Sequence, residues 1–78
     1  MKHYVFAGTF KQADDHARES GLDHGQWIYA DGRHKLQGIH PENMVVHRIG
    51  TWHMNDRVMI AWNYYQELRA MHGMEVRE

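Results

Sequence analysis

The sequence contains no cysteine, which removes disulfide frameworks and thiolate metal sites together. A chain this small must then draw its stability from packing or from self-association. Serine occurs once, as Ser20 at the end of a helical pattern, a poor setting for a nucleophile. Neither sign of charge dominates: the formal net charge is -1 and the pI is near 6.7. The chain thus lacks the basic excess of a protein that grips nucleic acid through phosphates. No apolar run approaches a membrane span, and the opening MKHYVFAGTF has neither the long apolar core nor the cleavage site of a secretory signal. The expectation is a cytoplasmic protein with no membrane partner. Glycine is also missing where a nucleotide would need it. GTFKQA lacks the glycine-rich run and Gly-Lys-Ser/Thr ending of a P-loop, and no GxGxxG follows either apolar strand. Neither a cofactor nor an enzymatic activity is expected.

What the chain does have is concentrated between Met44 and Met71. Met44, Val45, Val46 and Ile49 form a run that suits a mostly buried strand and is too short for a helix. Gly50 ends it. From Asp56 onward Val58, Ala61, Trp62, Tyr65, Leu68 and Met71 recur at the spacing of one helix face, with Asn55 or Asp56 available to cap the first turn and Gly73 to close the last. The apolar arc of this helix, from Ile60 and Tyr64 round to Trp62, spans roughly 200°, more than the ≳100° that core packing requires. Three explanations follow. The helix is sandwiched, or Ile60, Tyr64, Met71 and Trp62 meet a second chain, or the tyrosines and methionines snorkel at a domain edge.

Taken in order, His3 to Ala7 predicts a central strand that stops at Gly8. Thr9-Phe10-Lys11-Gln12 matches a capping box, and Ser20-Gly21-Leu22 a left-handed helix stop, with Phe10, Ala13 and Ala17 on the inner face between them. Gln26 to Ala30 predicts a second strand. Asp31 to Gly38 reads as a short helical turn or as a hairpin opening at Asp31-Gly32, the helical turn being preferred. The whole predicts one α/β domain over 1–78, with residues 74–78 as a frayed tail. Its topology is β-α-β, short turn, β-α, giving a three-stranded parallel sheet in the order 2-1-3 with helices on both faces. The alternative is an α+β fold in which Trp27 to Ile39 forms a hairpin.

Aligning Gly8 with Gly50 brings Thr9 onto Thr51 and Phe10 onto Trp52. Shared turn chemistry explains this echo. The functional alternative uses the place such loops occupy in an open parallel sheet, the carboxyl ends of adjacent strands, where helix amides can hold an anion or nucleotide. The candidate ligand site is Thr9, Lys11, Thr51, Trp52 and His53. For metals, His34 with His40 and His47 with His53 are the nearest histidine pairs in sequence, and Asp14, Asp15 and His16 cluster on the first helix. No HExxH or comparable spacing exists, so solvated or edge histidines are the reading and no metal is expected. The eight histidines would nevertheless carry the net charge from slightly negative to clearly positive at mildly acidic pH. Arg33, His34, Lys35, His47 and Arg48 lie near Trp27, Tyr29 and Trp52, a mix that single-stranded nucleic acid can use, but Asp31 and Glu42 oppose it.

The succession of a strand, Ala7-Gly8-Thr9-Phe10, an alanine-bearing helix ending in Gly21-Leu22, Trp27-x-Tyr29, Leu36-x-Gly38, and Val45-Val46-x-x-x-Gly50-Thr51-Trp52 before a helix resembles small uncharacterised proteins encoded by bacteriophages of actinobacteria. The resemblance spans Tyr4 to Leu68. It implies a compact α/β domain made in the host cytoplasm, binding a host protein or assembling with itself, and it brings no activity. The functional expectation is a non-enzymatic interaction module, a dimer contacting its partner through the 56–72 helix. Anion or nucleotide binding is the first alternative and nucleic-acid binding the second.

Overall fold

The computed structural model describes residues 2–71. Gly73 and the tail at 74–78 lie outside the described residues. Strand β1 (Lys2–Phe6) is flanked by β2 (Trp27–Tyr29) and β3 (Met44–Arg48), both parallel to it, so the sheet order is β2-β1-β3. Helix α1 (Phe10–Glu19) connects β1 to β2, and α2 (Asp56–Met71) follows β3. The parallel α/β fold expected from the alternation of elements is the one observed.

The pleat decides which residues each helix covers, because successive side chains point to opposite faces. Register places His3, Val5, Trp27, Tyr29, Val45 and His47 on one face, where Phe10 and His16 of α1 meet Trp27 and His47. Tyr4, Phe6, Ile28, Met44, Val46 and Arg48 fall on the other, where Trp62 and Tyr65 of α2 pack on Phe6. Ala13 and Ala17 are fully buried, and their small side chains let the short helix sit close to the sheet. On the α2 side Phe6, Leu36 and Val58 are fully buried, and Arg48 lays its guanidinium 4.6 Å from the Trp62 ring centroid and 5.3 Å from that of Trp52.

Local chemistry sets the boundaries. Thr9 caps α1, its hydroxyl accepting from the Gln12 amide at 3.2 Å. At the far end Gly21 takes φ +73, and the Leu22 amide returns to the Ala17 carbonyl at 2.8 Å while the Gly21 amide reaches Arg18 at 3.1 Å, the Schellman pattern. Asp31 to Gly38 contains a 3-10 turn at Arg33–Lys35 rather than a hairpin, and it delivers Leu36 into the core. Two further 3-10 turns lie at Pro41–Asn43 and Trp52–Met54, in segments whose sequence carries no helical spacing.

The second turn limits the internal echo. Thr9 leads directly into α1, whereas Thr51 enters the Trp52–Met54 turn and makes no cap. Asn55 caps α2 instead, its Oδ1 accepting from the amides of Arg57 at 3.0 Å and Val58 at 3.4 Å. The expectation that both Gly-Thr loops open onto a helix N-terminus therefore holds only for the first.

Candidate functional site

The two Gly-Thr loops do come together at the carboxyl rim of the sheet. The side chain of Gln12 lies between them: its Oε1 accepts from the Gly8 amide at 3.0 Å and from the Thr51 amide at 3.4 Å. Its Nε2 donates to the Thr51 hydroxyl at 3.4 Å. In a capping box the glutamine would return to the amide of the capping residue itself. Here it reaches one residue further back and across to the other loop. A carboxamide oxygen thus occupies the position that an anion would take, and the donors that would recognise the anion are already satisfied. The approach is close. A Cβ on Gly8 would collide with the Thr51 side chain and lie 2.9 Å from the Thr51 carbonyl oxygen, and Gly50, at φ +55, would place one 2.6 Å from Gln12 Oε1.

The five candidate ligand residues separate accordingly. Thr9 is spent on capping, and Lys11 pairs with Asp15 at 3.2 Å on the exposed side of α1. Thr51 faces Gln12; Trp52 packs at 5.6 Å on Trp62, and His53 stands exposed beside it. The residue that joins the rim together is Asn55. Its Nδ2 donates to the Gly8 carbonyl at 2.9 Å and to the Tyr29 hydroxyl at 3.3 Å, and that hydroxyl donates to the Ala7 carbonyl at 2.9 Å. Burial raises the Tyr29 phenol above its ordinary value, Asp31 adds to the rise and the Asn55 hydrogen bond opposes it.

A second cluster escaped the sequence reading. His3 Nδ1 lies 2.8 Å from His47 Nε2, and His16 Nε2 lies 3.1 Å from His47 Nδ1, so three imidazoles from β1, β3 and α1 form a chain with His47 at its centre. Burial lowers the His47 pKa from its ordinary 6.5, with His16 and then His3 lowering it further. A neutral His47 donates from one nitrogen and accepts at the other, so it satisfies both neighbours at once. The neighbours address opposite sides of its ring and do not converge. Among the described residues no group of three or more His, Asp or Glu is arranged to hold a metal ion. The sequence signal was present but incomplete. Strand order 2-1-3 makes β1 and β3 neighbours, yet only the register, His3 opposite Val45 and Val5 opposite His47, puts the two rings side by side.

The third surface is the outer side of α2. Val58, Ala61, Trp62, Tyr65 and Leu68 are buried beneath the helix, while Ile60 is 50% exposed and Met71 78% exposed. Trp62 thereby leaves the expected interface set, being packed edge-on against Phe6 in the core. Tyr64 is half-buried with the Arg33 guanidinium 4.8 Å from its ring centroid. The helix is not sandwiched. Two shallow clefts flank Ile60, one of about 350 Å³ towards Gly32, His34 and Arg57 and one of about 170 Å³ towards Arg33, Tyr64 and Glu67. No helix among the described residues is long and apolar enough to cross a membrane.

No protein-family model, curated protein or solved structure matches the chain.

Proposed function

We propose that this protein is a non-enzymatic interaction module that self-associates through the outer face of α2. The observation that carries the reading is Ile60, a large apolar side chain half in water in the second turn of a helix whose opposite side already supplies the core. Among the described residues, three of the four exposed large apolar side chains, Met54, Ile60 and Met71, belong to this helix or to the turn that leads into it. An apolar stripe bordered by Arg33, Arg57 and Glu67 has the make-up of a contact surface with a polar rim. A host-cell protein is the other partner the phage resemblance suggests, and the same face would serve it. Anion binding at the Gly-Thr loops is disfavoured because Gln12 Oε1 takes the amides involved.

Light scattering on Ile60→Glu tests the proposal, with circular dichroism as the folding control. The native chain is expected at twice the 9.3 kDa of one copy, and the folded variant at the single-copy mass. Equal masses for the two folded proteins would remove Ile60 from any self-contact.

A further inference from the structure

The outer face of α2 carries more than an apolar side chain: it carries a pattern that is complementary to itself in reverse. Arg57, Ile60, Tyr64, Glu67 and Met71 follow one another at alternating steps of three and four, the spacing of a coiled-coil seam along one side of a helix. Within that seam Ile60 and Tyr64 stand two residues to either side of position 62, and Arg57 and Glu67 stand five residues to either side. The outer pair is opposite in charge. Among the described residues neither the Arg57 guanidinium nor the Glu67 carboxylate has an ion-pair partner, whereas Lys11, Arg18 and Lys35 each hold a carboxylate four residues away.

We infer that two copies of this chain pair through α2 in antiparallel fashion, about a twofold axis passing at the level of residue 62. The inference rests on the self-association reading and specifies its geometry. A twofold contact must be complementary to itself, residue by residue. At this one level the axis stacks Ile60 on the partner's Tyr64, and by symmetry Tyr64 on the partner's Ile60. The same operation sets Arg57 against the partner's Glu67 at each end. Antiparallel seams pack residues of the two alternating classes against each other, and these four layers do so. Sliding the helices by one turn would bring Arg57 and Glu67 opposite uncharged seam positions, and a parallel arrangement would set Arg57 against its own copy. Charge therefore selects both direction and register.

The test is a charge swap read by sedimentation equilibrium, with Arg57→Glu, Glu67→Arg and the two combined. Both sites lie on the exposed side of the helix. An acidic residue near its start and a basic one near its end suit the helix dipole, so the variants are expected to fold. Each single substitution places like charges together at both ends of the contact and is expected to weaken the dimer at least about tenfold. The double variant restores opposite charges and should return within about threefold of the native constant. A double variant no tighter than the singles, or singles that match the native chain, overturns the register. If the native chain stays monomeric throughout, the self-association reading fails as well. If only Ile60→Glu breaks the dimer, self-association stands and the antiparallel register falls.

Discussion

At the residue scale, the fold constrains the ionisation of His47. Burial and two flanking imidazoles hold its pKa below 6.5, so the folded chain binds a proton there less readily than the unfolded chain. Stability from this site is fully present above pH 6.5 and is lost as pH falls through the lowered folded value. Denaturant midpoints measured between pH 7.5 and 5 should therefore decline on acidification, and His47→Gln should flatten that decline because it removes the group. An unaltered slope in His47→Gln would show that the imidazole chain does not contribute to it. Gly8 is constrained by space rather than charge. Gly8→Ala drives a Cβ into Thr51 and Gln12, and it is expected to lower stability by about 1–3 kcal/mol in the same denaturation assay. A loss below a few tenths would mean that the two loops separate easily. With Gln12 in place, inorganic phosphate is expected to leave the melting temperature unchanged.

Among the elements, the junction at the start of α2 is held by one side chain in two capacities. Asn55 caps the helix through Oδ1 and ties the β1-α1 loop and Tyr29 through Nδ2. Asn55→Asp keeps the capping oxygen but loses both donor contacts and turns a carboxylate oxygen towards the Gly8 carbonyl. The expected cost is about 1–3 kcal/mol, where a cap acting alone would be nearly indifferent to the change. Much of this element-level organisation was readable from the sequence. Strand composition, the Thr9 cap, the Gly21 stop and the strand-helix alternation each depend on neighbours in the chain, and they gave the sheet order and both helices. What depends on distant residues was not readable. Sequence spacing ties Gln12 to its own helix, yet it also bridges to Thr51; the same spacing leaves Trp62 at the edge of an arc that could meet a partner, yet its ring packs on Phe6. His3, His16 and His47 come together only through the register of β1 and β3 and the seat of α1 on the sheet. The apolar arc on α2 holds the buried Val58, Ala61, Trp62 and Leu68 together with the exposed Ile60. The sequence could not say which edge of that arc faces inward.

For the whole molecule, a sheet of three short strands is covered on one side by a ten-residue helix and on the other by a sixteen-residue helix. Domains of this size bury only about 60% of the surface their unfolded chains expose, so little stability is held in reserve. Phe6, fully buried where β1 meets Trp62 and Tyr65, is expected to lose about 3–5 kcal/mol on Phe6→Ala, enough to unfold much of the population by circular dichroism. Association offers such a chain additional burial without a larger core, and, just as α1 has the exposed Phe10, α2 has Ile60 and Met71 to contribute. The central claim is that two copies meet there. Sedimentation equilibrium of the unaltered protein across a dilution series tests it most directly: the mass should fall from twice 9.3 kDa towards 9.3 kDa as the concentration drops, and a single-copy mass at every concentration would contradict the account.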